Sequence, residues 1–289
     1  MYQIVVERKL MGRGIFVTED RNEPNTAFTP TPHGIEERPV ILGRKLAAKE
    51  RRTLLEVRNK MKDVFPDEGC YITPTSKEGG GIEGLCMHCP VCYTHGGLKS
   101  GPNGSYGRAG IVLYDDAFNL GDSEIENLTL NSVDMRTYRT GTALASETFI
   151  YGGTFVNVVT IKDDSPEILN LILDSIVSTG SYGARTRHYG RMKNNILLIA
   201  QGERPMITSY EIVGLVNKPE DIKPVAEKII TERNGRILPV PVLGDHREII
   251  KAANNIEEVQ NWYKEVDKYI RDSKKSKKAN GESEEESEE

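Results

Sequence analysis

The chain holds little cysteine, no long apolar run and no large net charge, and each shortage excludes a class of protein. Four cysteines in 289 residues are too few for a disulfide framework, and a chain of this length buries enough surface to fold without one. No apolar stretch approaches the ~20 residues of a membrane-spanning helix. The longest, NNILLIA at 194–200, has the length of a strand. The N-terminus, MYQIVVERKL, meets charge by Glu7 and lacks the basic-then-apolar layout of a secretion signal. With 37% apolar residues and a mean hydropathy of −0.47, the expectation is a soluble cytoplasmic protein with no membrane partner. Its length suits one large domain with insertions or two modest ones. No internal repeat is visible.

A net charge of −5 argues against a nucleic-acid binder until its distribution is considered. Residues 272–289, DSKKSKKANGESEEESEE, are blocks of lysine and glutamate with almost nothing apolar. Such a segment cannot offset the entropy of ordering and is expected to be a disordered acidic tail. The rest is nearly neutral, so basic surface must be local. RKLAAKERRTLLEVRNKMK (44–62) carries eight basic residues against two acidic. It is expected to be a helix, with Leu46, Leu54, Val57 and Met61 at 3–4 spacing and cations, among them Arg44, Arg51 and Arg52, on the remaining face.

The second basic place is TGSYGARTRHYGRMKNN (179–195), between an apolar helix and an apolar strand. Gly180, Gly183 and Gly190 allow tight turns and close backbone approach. Arg185, Arg187, Arg191 and Lys193 can neutralise phosphates, while Tyr182, His188 and Tyr189 can stack on bases. Charge alone would fit a solvated loop; the interleaved tyrosines and glycines favour nucleic acid.

Three of the four cysteines crowd into GLCMHCPVCYTHGG (84–97). Where thiols stay reduced, Cys86, Cys89 and Cys92 among glycines point to a metal. Zinc takes four ligands in a tetrahedron, and Cys-x2-Cys offers two of them from one turn. The fourth is Cys70 or His95, with His88 inside the cluster as a further candidate. Cys70 is preferred, because four ligands within ten residues would strain the backbone. One structural zinc per chain is expected, since no water-polarising carboxylate stands beside the cluster. A ferredoxin-type cluster would want Cys-Pro where Gly96 stands, and a redox pair would want a βαβ surround that is missing.

Along the chain, 2–10, 128–135, 154–163 and 194–200 pattern as strands, and 20–40, rich in Pro, Asn and Thr, as loop. Ser165 and Pro166 open an apolar helix as N-cap and first residue. Two more helices follow SYEIVGLVN, at PEDIKPVAEKIITERNG and from His246 onward. Arg136 and Arg139 flank a turn between two strands, in the form of a protruding hairpin. The order indicates an α+β domain whose first strand is separated from its partners.

Residues 139–200, with TGTA and YGAR inside them, together with CMHCPVC upstream, resemble the guide-RNA-binding backbone subunit of type I-D CRISPR effector complexes, in the RAMP superfamily. The resemblance is dense over about 86–200 and thin elsewhere. It implies a modified RRM-like (ferredoxin-like) core at 1–19 and 106–271, with a thumb hairpin at 136–153 and C-terminal helices. It also implies an insertion at 20–105, with a lid-like part, the basic helix and a zinc-binding segment at 65–105. Several copies would polymerise along one crRNA beside other effector subunits, in antiviral defence. The thumb would wedge between guide bases, and the 179–195 loop would hold phosphates without reading sequence. Target DNA would be recognised through guide pairing. The expected role is non-catalytic. A metal-dependent nuclease is the alternative, as some related subunits cut targets with a loop aspartate. Here Asp20, Asp115 and Asp116 occupy such positions, without the carboxylate cluster of two-metal chemistry.

Overall fold

The computed structural model describes residues 1–18, 23–74, 82–101, 104–121 and 123–269. The acidic tail and Asp20 lie outside them. Among the described residues, no helix is long and apolar enough to cross a membrane. The chain divides into two compact units: residues 1–50, 113–164 and 175–242 in one, and 51–112, 165–174 and the described residues from 243 in the other.

Six elements carry the core topology: β1 (Tyr2–Leu10), α1 (Gly43–Arg58), β2 (Ala117–Leu120), β3 (Thr154–Ile161), α2 (Pro166–Ser178) and β4 (Met192–Gln201). They run βαββαβ in the chain and stand β4–β1–β3–β2 in the sheet, every neighbour antiparallel. That order is the ferredoxin-like (RRM-like) arrangement of the expected α+β class. Central strands buried on both faces need continuous apolar sequence, and β3, TFVNVVTI, is buried at every position. On one face Val5, Val156, Val158 and Leu198 pack with Ile212 and Val213 of helix Ser209–Leu215 and with Ala226 and Ile230 of helix Ile222–Glu232. SYEIVGLVN thus supplies a short helix, capped by the Thr208 hydroxyl, which accepts from Glu211 N at 3.2 Å.

The described residues within 20–40 depart from the expected loop. Thr26–Thr31 and Gly34–Ile41 form an antiparallel hairpin whose second strand pairs with β2. Pro30 and Pro39 obscured it, yet Pro30 lies on the edge strand, where proline is tolerated because an N–H has no partner to meet. A second hairpin, Glu124–Val133 with Thr140–Tyr151, takes the short strand Arg13–Gly14 beside its return strand. Its tip is held by Asp134, whose carboxylate accepts from Arg136 N at 2.7 Å and Thr137 N at 3.3 Å.

The second unit holds the end of α1, the cysteine segment and a hairpin of Gly96–Gly101 with Gly104–Ala109. It also holds helix His246–Asn254 and a terminal helix at 257–269. Trp262 anchors that last helix. Its ring meets Tyr93 edge-on at 5.7 Å, and its Nε1 donates to Tyr106 Oη at 3.0 Å.

Candidate metal centre and candidate nucleic-acid interface

Cys70, Cys86, Cys89 and Cys92 converge, with all four sulfurs within 4.8 Å of one another. Cys70 Sγ and Cys92 Sγ stand 3.5 Å apart. A tetrahedral ion with ~2.3 Å bonds to sulfur separates its ligands by about 3.8 Å, so the four residues fit such an ion. Local sequence explains the convergence. Met87 takes a left-handed φ of 57°, which closes the Cys86–Cys89 turn so that His88 N donates to Cys86 Sγ at 3.3 Å. Pro90 then starts the short helix Pro90–His95, which carries Cys92. Asn59, just past α1, grips Cys70 by both backbone groups at 2.8 Å each.

Positive charge surrounds the sulfurs. Buried Arg51 donates to Gly96 O at 2.7 Å and approaches Cys92 Sγ at 3.8 Å. Arg58, fully buried, approaches Cys86 Sγ at 3.6 Å and pairs with Asp67. Hydrogen bonds from neighbouring sulfurs hold the Cys70 and Cys92 thiols below their ordinary value, with Arg51 lowering Cys92 further. The same neighbours push Cys86 up, and burial pushes Cys89 up. Only a cation would let all four be thiolates together. The histidine candidates are occupied elsewhere. His88 contacts Asp267 at 2.9 Å, and His95, pushed down to about 3 by burial and then by Arg51, stays neutral beside Thr94.

The 179–193 loop is built on a buried polar network. Arg8, within the apolar β1, is fully buried. It donates to Glu50 at 2.8 Å, Tyr182 Oη at 2.6 Å, Asn157 Oδ1 at 2.8 Å and Asn194 Oδ1 at 3.2 Å. The Tyr182 hydroxyl donates to Glu50 at 2.7 Å, and burial keeps it a phenol. Tyr182 is therefore a floor of the loop and, at 1% exposure, presents no ring for a base to stack on. This corrects the role expected from sequence. Arg51 needs the same correction: it faces the cysteines instead of solvent. Arg44 and Arg52, on the same helix, are exposed.

Above that floor the chain turns sharply. Gly183 has φ 90°, and Gly190, φ 74°, sits so close to Tyr182 O that no side chain would fit. Arg187, His188, Arg191 and Lys193 are exposed, and Tyr189 is half-buried with its ring 5.0 Å from Phe149. Arg185 is the exception among the arginines. Its guanidinium grips the Glu147 carboxylate with both nitrogens, at 2.9 and 2.7 Å, and so ties the loop to the hairpin strand Thr140–Tyr151. Arg136 and Arg139 are exposed at the hairpin tip, beside Met135 and Tyr138 at 87% and 84% exposure. Glu147→Gln should cost about 1–2 kcal/mol, since one partner is buried and the other half-exposed. Urea denaturation checks this, and unchanged stability would show that the latch carries nothing.

Asp115 and Asp116 have structural duties. Asp116 Oδ1 accepts from Gly43 N, opening α1, at 2.7 Å. Asp115 Oδ2 accepts from Ser209 N at 2.8 Å and Ser209 Oγ at 3.2 Å. Adjacent aspartates thus cap two different helices, where a carboxylate meets unsatisfied N–H groups. No sequence rule for local caps would have found them, because each cap reaches across the fold.

A model of the family described as Csc2 Crispr matches residues 2–279. A search of curated protein sequences gives no match. Among solved structures, the chain is similar to Csc2 of Thermofilum pendens, with a TM-score of 0.61 at 18% identity over 95% of this chain and 89% of that one. It is also similar to a chain of a CRISPR RNA-guided surveillance complex, pre-nicking, with a TM-score of 0.52 at 9% identity over 88% of this chain and 99% of that one. At such identities the likeness speaks for the fold, while the family match spans nearly the whole sequence. The chain belongs to the Csc2 CRISPR family.

Proposed function

We propose that this chain is the crRNA-binding backbone subunit of a type I-D CRISPR interference complex, within the RAMP superfamily. Copies polymerise along one guide in the cytoplasm and join other effector subunits, and target DNA is read by pairing with the guide. The observation that carries the reading is the run Arg187, Arg191 and Lys193. All three are exposed, and none pairs with a carboxylate among the described residues. They rise from a loop whose floor is locked by Arg8 and Glu50. Cations of this kind hold phosphates whatever the base, which a subunit carrying any guide sequence requires. His188 and Tyr189 supply rings for stacking, and Arg136 and Arg139 bring charge to the thumb. One zinc on the four cysteines braces the second unit structurally. A nuclease is disfavoured because Asp115 and Asp116 are engaged as helix caps.

The test is fluorescence anisotropy with an unstructured single-stranded RNA across a salt series. Replacing Arg187, Arg191 and Lys193 by alanine should lower the slope of log affinity against log salt by about 2, at ~0.7 per lost phosphate contact. An unchanged slope would remove the loop from the interface. RNA or DNA cut only when a divalent ion is added would instead favour the nuclease.

A further inference from the structure

Two cations outside the sequence motif, Lys9 and Arg13, adjoin the loop. Lys9 stands directly opposite Lys193 in the β1–β4 register, so the two share a sheet face, and both are exposed. Like charges opposed across a strand pair are destabilising, and neither lysine has a carboxylate partner among the described residues. An anion between them would relieve the repulsion.

Arg13 offers an independent observation. Its guanidinium lies over the rings of Phe149 and Tyr189, 4.7 Å from each centroid, and donates to Tyr151 Oη at 3.1 Å. Rings and hydroxyls fix its position without neutralising it, and no described carboxylate pairs with it. This is the reverse of Arg185, whose charge is spent on Glu147. Backbone bonds hold the segments together: Met11 N to Arg191 O and Gly190 N to Arg13 O, both at 2.8 Å. A side chain built on Gly12 would meet nothing within 4 Å, so the space beside this strand end is open.

We infer that Lys9 and Arg13 complete, with Arg191 and Lys193, a cradle of four cations for the phosphodiester backbone of single-stranded RNA. Arg185 stands outside it as a latch. The inference rests on the RNA-binding reading above and assigns that site two residues the motif does not contain.

The experiment is the same salt series on the full chain with Lys9→Ala/Arg13→Ala, Arg13→Lys, Lys9→Gln and, as a control on the surface of helix Ile222–Glu232, Lys223→Ala/Lys228→Ala. For the double variant, the affinity lost between 50 and 200 mM salt should shrink about sevenfold, the effect of two phosphate contacts at a slope of about 0.7 each. Arg13→Lys, which keeps the charge, should hold the wild-type slope; a slope lowered by about 0.7 despite the retained charge would make Arg13 a structural residue and remove it from the cradle. If loss of Arg13 unfolds the protein, exposed Lys9 decides: Lys9→Gln should lower the slope by about 0.7. Wild-type binding that is steep in salt, with variants no different from the control, would overturn the cradle and leave the RNA reading standing. Wild-type protein without salt-steep binding would overturn both.

Discussion

Stripping the proposed zinc from the four cysteines should dismantle the cysteine module of the second unit. Incubation with a strong chelator is expected to release one zinc per chain and to shift the emission of the single tryptophan to the red. Trp262 is 2% exposed and packs on Tyr93, one residue after Cys92. Its environment therefore depends on the turn the sulfurs hold. Structural zinc contributes about 10–16 kcal/mol in small zinc-bound peptides, as much as the entire net stability of a typical domain, about 5–15 kcal/mol. Cys92→Ala should reproduce the change without chelator. Because ligands must lose their protons to bind, zinc retention should also weaken as pH falls. Native protein with no bound metal and unaltered emission under chelator would end this account of the cluster.

The second large effect belongs to Glu50. In Glu50→Ala the Arg8 guanidinium would keep its positive charge at 0% exposure with only neutral partners left. Removing one member of a buried ion pair costs about 3–5 kcal/mol, because the other charge stays behind. The pair replaced together, as Arg8→Met with Glu50→Leu, should lose much less than the two single changes summed. Equilibrium urea unfolding of the four proteins measures the difference. Additive losses would mean that Arg8 and Glu50 act independently, against the geometry. The effect should reach the loop as well, since Tyr182 hangs from both residues.

What sequence could and could not reveal follows from the range of the interactions. β1 and β4 were legible because buried strands need unbroken apolar runs, and α2 because serine and proline mark its start. The convergence of the cysteines was legible because three lie within seven residues, and Cys70, preferred over His95 as the fourth, joins them. The hairpin at 26–41 was hidden by its prolines and by its exposed Phe28 and Ile35. Tyr182 and Arg51 carry surface-like chemistry but turn inward, drawn by Glu50 and Gly96 across gaps of 132 and 45 residues. Lys9 and Arg13 were invisible for the same reason. Only strand register sets Lys9 against Lys193, and only the second hairpin brings Phe149 beneath Arg13.

β1 is made long before the two strands that flank it. Tyr2 meets Ile161 on one side and Gln201 on the other. At about 5–20 residues per second of synthesis, roughly ten to forty seconds pass between the making of β1 and that of β4, the later of its two partners. The four cysteines span only residues 70–92 and can converge while β1 is still waiting. A peptide copy of those nine residues, added during synthesis, would compete for the gap between β3 and β4 and act as a folding inhibitor.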